Sequence, residues 1–153
     1  MPVHHEQRFA PYTPRQMFEL VADVEKYPEF LPWCALARIL KRQENRFEAE
    51  LVIRYKQFSE SYVSDVQLTP PGADGAAAID VTQLRGPFMR LENHWKFLPQ
   101  DGGTRIDFAL DFQFRSKILQ MMIGAFYSRA AEKMVAAFLE RAERLYGGSD
   151  PIV

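Results

Sequence analysis

The sequence lacks the features that mark disulfide-bonded or membrane-spanning proteins. Cys34 is its single cysteine, which excludes an intrachain disulfide and any metal site built from several cysteines. No apolar run approaches the roughly 20 residues that are needed to cross a bilayer. The start, MPVHHEQRF, contains neither the basic nor the hydrophobic region of a signal peptide. We therefore expect a cytoplasmic protein, either free or peripheral on the inner face of the membrane.

Catalytic motifs are equally scarce. The chain has no GxSxG turn, no glycine-rich phosphate loop and no His, Cys, Asp or Glu cluster at metal-ligand spacing. His4 and His5 lie close to the N terminus, and His94 falls on the polar side of a predicted strand. Cys34 has no activating neighbour that the sequence identifies, so we predict a small core residue. These absences favour a non-enzymatic protein with no catalytic residues, no metal and no cofactor.

Neither sign of charge dominates. With 19 basic and 20 acidic side chains the net charge is −1, which argues against broad electrostatic binding of nucleic acid and excludes DNA as an expected partner. The 153 residues are 47% apolar and 13% aromatic, enough for one domain with a substantial core. We place that domain at residues 1–148 and predict a disordered tail at 149–153.

Strict alternation of apolar and polar residues is the main pattern in the middle of the chain. It is typical of antiparallel strands that have one apolar face towards the core, here called the dry face, and one polar face towards solvent, the wet face. Three segments show it clearly and four more weakly, which predicts about seven strands: Phe47–Tyr55, Met89–Phe97 and Ile106–Phe114, then Val3–Ala10, Ala35–Arg42, Gln57–Leu68 and Ala76–Leu84. Thr13-Pro14-Arg15-Gln16 predicts a capped helix after the first strand. Tyr27–Trp33 predicts a packed corner whose short helical turn begins at Pro28.

Lys117–Tyr146 predicts one long C-terminal helix, since it has helical apolar spacing and no proline. Its first half is apolar nearly all round and needs cover over more than one face. A sheet with one dry face can supply that cover by curling round the helix, which gives an α+β fold. Such an arrangement tends to leave a cavity that suits apolar ligands.

The sequence also resembles a known family. YPEFLPWC at residues 27–34, after MFELVADV at 17–24, is similar to the coenzyme Q-binding protein family, and so are GPF at 86–88 and DFQF at 111–114. That family belongs to the START-like, or polyketide cyclase/dehydrase-like, superfamily. The resemblance implies a helix-grip fold and binding of a polyprenyl quinone in support of respiration or quinone biosynthesis. Bacterial relatives are also described as toxins that block association of ribosomal subunits.

We expect the ligand to lie between the sheet and the long helix, with a ubiquinone-like lipid as ligand rather than cofactor. Asn93 and Glu60 are polar residues at positions that alternation places on the apolar face of their strands. Each therefore needs a hydrogen-bonding partner or a ligand. Asn93, together with Tyr62, either orients a quinone head group or satisfies a neighbouring backbone group. The predicted lining comprises Phe30, Leu31, Trp33, Tyr62, Leu91, Asn93, Trp95, Phe108, Leu110, Phe112, Met122, Phe126 and Met134.

The apolar start of the long helix has two interpretations. It is either enclosed by the Tyr27–Trp33 corner or forms a membrane or partner patch flanked by basic residues. The patch comprises Ile118, Met121, Met122 and Tyr127.

Two alternatives to a hydrophobic carrier remain. A ribosome-binding protein needs a basic surface, for which Lys41, Arg42, Arg46 and Arg54 are the candidates. A cyclase or dehydratase needs a titratable group in its cavity, for which Glu60 is the candidate.

Overall fold

The structure is a computed structural model that describes residues 3–55, 58–124 and 127–147. Side chains 55, 58, 123, 124 and 127 are not described, and the predicted tail at 149–153 lies outside these ranges. Seven strands form one antiparallel sheet in the order β1-β7-β6-β5-β4-β3-β2. The strands are β1 Val3–Ala10, β2 Cys34–Gln43, β3 Arg46–Tyr55, β4 Phe58–Thr69, β5 Ala77–Arg85, β6 Phe88–Gln100 and β7 Gly103–Phe114.

Helical segments lie between β1 and β2 and after β7. The first pair is α1, Pro14–Ala22, and a 3-10 helix, Val24–Glu29; the second is α2, Lys117–Gly124, and α3, Tyr127–Ala142, which continues into a π-helical turn, Glu143–Gly147. The predicted capping box starts α1: the Thr13 hydroxyl accepts from the Gln16 amide at 3.1 Å, and the Gln16 side chain accepts from the Thr13 amide at 2.9 Å.

The core lies between the sheet and the inward faces of α1 and α3. Trp95 packs edge-on against Phe108 and Phe138, with ring centroids 4.7 and 5.0 Å apart. Ala131, Val135, Phe138 and Ala142 recur at helical spacing on α3 and are all buried. Each aromatic pair adds about 0.5–1.5 kcal/mol beyond the burial of its area. This half of the interior is therefore densely packed.

Three sequence predictions need correction in detail. The C-terminal helix consists of two described segments, α2 and α3, on either side of residues 125–126. The short helical turn near Tyr27 begins at Val24, with Pro28 inside it, because Val24 follows α1 after a single residue. Met89 is exposed although alternation predicts it on the dry face, since a bulge between Phe88 and Arg90 gives the inward position to Phe88.

In the part of the chain that is described, no helix is both long enough and apolar enough to cross a membrane.

Candidate functional site

Burial along the inward face of the sheet changes from one end to the other. Near α1, inward residues such as Ile79, Phe97 and Ile106 are at most 1% exposed. Further along the same strands, inward residues keep part of their accessible surface, although they belong to the same apolar face. We call this region the recess; its inward residues are Leu51, Ile53, Tyr62, Val81, Leu91, Asn93, Leu110 and Phe112.

A second aromatic cluster lies on the side of the recess away from Trp95. Phe88 and Phe114 are buried and stack with centroids 4.8 Å apart. Phe88 also meets Tyr62 edge-on at 5.3 Å and Phe112 at 5.7 Å. The recess therefore lies between this cluster and the Trp95 cluster. Its lining is mostly aliphatic and aromatic, which suits an apolar guest.

Asn93 lies at the boundary of the Trp95 cluster and the recess. Its side-chain NH2 donates to the Ala109 carbonyl at 3.0 Å, and its oxygen accepts from the Trp95 indole at 2.9 Å. These two bonds satisfy a backbone group and a core tryptophan, as one of the two sequence interpretations expects. One N–H of the amide remains for a further partner.

Tyr62 places a phenol in the recess. Gly86 lies directly against it: a Cβ at Gly86 would come within 2.5 Å of the Tyr62 Cβ. Burial raises the pKa of Tyr62 well above its usual value, and the nearby Cys34 adds to the shift. The phenol is therefore neutral over the physiological range and can donate a hydrogen bond.

Cys34 is a buried thiol at the start of β2, as predicted from the sequence. Burial raises its pKa to about 11, although hydrogen bonding with the Leu36 backbone acts in the opposite direction. A thiol with such a pKa carries little thiolate at neutral pH and is a poor nucleophile.

The Tyr27–Trp33 corner is tied to the core. The Tyr27 hydroxyl donates to the Val21 carbonyl, and the rings of Tyr27 and Phe30 each meet Phe138 at 5.2 Å. Arg141 lies over the Phe30 ring and binds Glu29 at 2.8 Å. These contacts fix the corner against the C-terminal half of α3.

The predicted lining residues therefore divide into four groups, and one residue lies outside the described part of the chain. Tyr62, Leu91, Asn93, Leu110 and Phe112 come together in the recess, whereas Leu31, Trp95 and Phe108 are buried in the core. Phe30, Trp33 and Met134 are half-buried against that core. Met122 is 60% exposed on α2, and Phe126 lies outside the described residues. Their role in ligand binding stays a prediction.

The predicted surface patch is exposed where it is described. Ile118 is 72% exposed and Met121 79% exposed, and Met122 belongs to the same surface. The side chain of Tyr127 lies outside the described residues.

A polar groove beside β1 is not evident from hydropathy, because β1 has little apolar alternation. The pairing with β7 turns His4, Glu6 and Arg8 to the inner side of the sheet. Glu6 binds His4 at 2.8 Å and Arg8 at 2.6 Å. Glu6 and Arg8 line an open groove of about 470 Å³ together with side chains of α3, which are Arg129, Glu132, Lys133 and Ala136.

The candidate catalytic and ribosome-binding groups lie apart from each other, Glu60 on β4 and most of the basic residues on the β2–β3 hairpin. Among the described residues, no three His, Cys, Asp or Glu side chains could hold a metal ion. Glu60 is half-buried in the inward register of β4, opposite Ile53. Arg46 binds Asp65 at 2.6 Å and Arg42 lies over the Phe47 ring at 5.0 Å, while Lys41 and Arg54 are exposed.

Comparison with known proteins gives concordant matches. A family model described as "Polyketide cyclase / dehydrase and lipid transport" matches residues 10–139. The ribosome association toxin RatA of Rickettsia prowazekii is 41% identical over 138 residues, which cover 90% of this chain and 94% of the toxin. The coenzyme Q-binding protein COQ10 homolog B, mitochondrial, of Xenopus laevis is 30% identical, over 94% of this chain and 59% of the frog protein.

A solved structure covers nearly the same extent. The solution structure of an 18 kDa Caulobacter crescentus protein superposes with a TM-score of 0.75 at 37% identity, over 97% of this chain and 100% of that protein. The Rickettsia relative is thus named as a ribosome association toxin and the frog relative as a coenzyme Q-binding protein.

Proposed function

The chain belongs to the polyketide cyclase/dehydrase and lipid transport family, and we propose that it binds a ubiquinone-like polyprenyl quinone in the recess, without catalysing a reaction. The observation that carries this proposal is the half-buried state of the inward residues between the two aromatic clusters. Apolar side chains that keep accessible surface inside a sheet gain free energy when a guest covers them, at about 25 cal/mol per Å².

The isoprenoid tail would lie along Leu91, Leu110 and Val81. Because apolar burial is not directional, such a lining tolerates tails of different length. The name of the frog relative, a coenzyme Q-binding protein, supports a quinone as the ligand class.

The Tyr62 phenol is our candidate for contact with the head group. A quinone offers two carbonyl acceptors and no donor, so it needs a donor from the protein. Tyr62 is neutral because burial raises its pKa, and Asn93 has one N–H left after its two internal bonds. Both side chains lie on the inward face of the sheet, Tyr62 on β4 and Asn93 on β6, with β5 between the two strands.

Quinone binding to Tyr62→Phe tests the assignment. The substitution removes the hydroxyl and keeps the ring that packs on Phe88, so we expect an affinity for a short-chain ubiquinone about 2- to 10-fold weaker, the value of one hydrogen bond. Tyr27→Phe is the matched control, because the Tyr27 hydroxyl already donates to Val21. Equal affinities of Tyr62→Phe and wild type would remove the head-group role, and absence of quinone binding by the wild type would remove the proposal.

Ribosome association is a second candidate function, favoured by the Rickettsia relative and its extensive coverage. The β2–β3 hairpin supplies the exposed basic Lys41, with Arg42 and Arg46 beside it. We expect co-sedimentation with ribosomal subunits to weaken steeply with added salt if these residues contact RNA phosphates.

Lys41→Glu with Arg42→Glu would test that surface. A loss of co-sedimentation with unchanged quinone affinity would support two separate functions on one domain. Co-sedimentation that is insensitive both to salt and to these substitutions would exclude the hairpin as the ribosome contact.

A further inference from the structure

α2 exposes its apolar face and turns its polar side chain towards the protein. The Gln120 side-chain oxygen accepts from the Phe114 amide at 2.8 Å, which fixes the start of α2 on the end of β7. Ile118, Met121 and Met122 follow the i, i+3, i+4 spacing of one helix face and are 72%, 79% and 60% exposed. This orientation is the reverse of the usual one for a helix that packs on a globular core.

A neighbouring hairpin exposes a further apolar residue. The Arg115 amide donates to the Pro87 carbonyl at 2.9 Å, so the β5–β6 hairpin is bound directly to the start of α2. Met89, in the bulge beside that hairpin, is 59% exposed. Single exposed apolar residues are common on protein surfaces, but a group of four at one end of a sheet indicates a contact surface.

The charged residues within the two segments that carry these apolar residues are all basic, and one of them, Arg90, is paired with Asp111 at 2.7 Å. Arg85, Arg115 and Lys117 are exposed in the segments that carry the four apolar residues. Within the described residues 85–90 and 115–122 there is no acidic side chain, although acidic residues outnumber basic ones in the whole chain by 20 to 19. The local charge is therefore positive on a protein whose net charge is −1.

From this combination we propose that α2 and the β5–β6 hairpin dock on an anionic phospholipid surface. The apolar side chains would enter the headgroup–acyl boundary, and Arg85, Arg115 and Lys117 would lie at the level of the lipid phosphates. RNA would also attract the basic residues, but it gives exposed methionine and isoleucine nothing to bury in. The surface does not depend on an occupied recess, so docking and quinone binding are separable properties.

Vesicle co-sedimentation of the full chain, without quinone, tests the docking surface. We expect weak binding to pure phosphatidylcholine and clear binding when phosphatidylglycerol is added, reduced by salt. The double variant Met121→Asp/Met122→Asp should lower the affinity for anionic vesicles by at least about tenfold, since it removes apolar insertion and adds repulsion. Lys117→Gln should lower it by about fivefold.

Two matched variants control for charge and for folding. Leu36→Asp/Leu40→Asp makes the same charge change at two apolar residues on β2 that are 43% and 42% exposed, and it should bind vesicles like the wild type. Lys41→Gln is the corresponding control for Lys117→Gln. The thermal unfolding of the Met121/Met122 variant should stay close to that of the wild type, which separates lost docking from lost folding.

Three results would overturn the proposal. The first is equal loss of vesicle binding in the α2 and β2 double variants. The second is binding to RNA and not to vesicles, which Lys117→Gln weakens and the Met121/Met122 substitutions leave unchanged. The third is a self-association that the Met121/Met122 substitutions abolish while vesicle binding stays intact, which would make the surface a contact between two copies of the chain.

Discussion

Asn93 holds two neighbouring groups in place with one side chain. Its amide bridges the Trp95 indole on its own strand and the Ala109 carbonyl on β7. Because Trp95 is 2% exposed and packs on Phe108 and Phe138, the orientation of the largest core residue depends on this bridge. Asn93 therefore has a structural role that does not need a ligand.

Replacing Asn93 should cost stability even without ligand. Asn93→Leu is similar in size but leaves the Trp95 N–H without its partner, so we expect a loss of about 1–3 kcal/mol in the free energy of unfolding. Urea denaturation of variant and wild type measures this loss, provided that both proteins unfold with the same m-value. Gln7→Leu, on the exposed side of β1, is the surface control. An Asn93 variant as stable as wild type would show that the bridge contributes nothing net.

His94 is the residue whose charge links stability to pH. It lies on the outer face of β6, 2.6 Å from Asp80 and 3.3 Å from Glu92. Partial burial acts to lower the pKa of His94, but its hydrogen bonds to the two carboxylates outweigh this and raise the pKa above its usual 6.5. A raised folded pKa stabilises the protein fully below about pH 6.5, and this contribution is lost as the pH rises through the folded value.

We therefore expect the wild type to lose stability relative to His94→Gln as the pH rises. The difference between their free energies of unfolding should shift slightly against the wild type from mildly acidic to mildly alkaline pH. The effect should be small, because the ring is partly exposed and solvent screens the pair. Urea unfolding of both proteins across this range measures the difference. A difference that grows with rising pH would contradict the assigned direction.

At the scale of elements, the β5–β6 hairpin links the recess to the outer surface. Gly86 adopts a φ of +153°, which side chains rarely tolerate, and lies against Tyr62. The Gln83 side chain bonds both the Phe88 amide and the Phe88 carbonyl, at 3.1 and 2.8 Å. The hairpin thus positions Phe88 of the second aromatic cluster on the inward side and exposes Met89 on the outer surface.

Gly86→Ala should disturb this hairpin and the recess together. The added methyl would lie 2.5 Å from the Tyr62 Cβ and 2.6 Å from the Gln83 Oε1, so we expect a loss of about 1–3 kcal/mol in stability together with weaker quinone binding. Gly102→Ala is the matched control, since φ is +81° there but no atom lies within 4 Å of an added Cβ. If both variants bind quinone equally well, the hairpin does not position the recess.

Across the fold as a whole, the inward face of the sheet has a buried part and a half-buried part. α1 and the C-terminal part of α3 cover the inward face around Trp95 and Phe97, whereas the inward residues of the recess retain accessible surface. A guest that fills the recess would complete the core, so ligand binding and folding stability should be thermodynamically linked.

This linkage gives a measurable thermal shift. At free quinone about 100 times above its Kd the folded state gains about 2.7 kcal/mol, which corresponds to roughly 5–11 °C in Tm for a chain of this size. Val81→Phe should fill the recess and reduce the shift, while Val52→Phe, on the outer face of β3, should leave it unchanged. Equal shifts in both variants would place the ligand elsewhere.

The strands, the capped first helix and the curved sheet around a C-terminal helix could be predicted from the sequence. Alternation and capping are local patterns, and most of these local signals agree with the final fold. It also predicted that Asn93 and Tyr62 face the interior, because parity along a strand fixes the face of every residue until a bulge intervenes. The bulge at Met89 broke that parity.

Which inward residues are covered depends on how the helices pack over the sheet and could not be predicted from the sequence. Leu91 and Trp95 are equivalent by parity, yet one lies in the recess and the other in the packed core, since the positions of α1 and α3 over the sheet follow from contacts between distant segments. The same holds for α2. Its composition predicts an apolar helix but not which face of the helix is exposed. The hydrogen bond of Gln120 to the Phe114 amide orients the helix so that Met121 faces outward, since contacts with neighbouring segments decide which residues are buried.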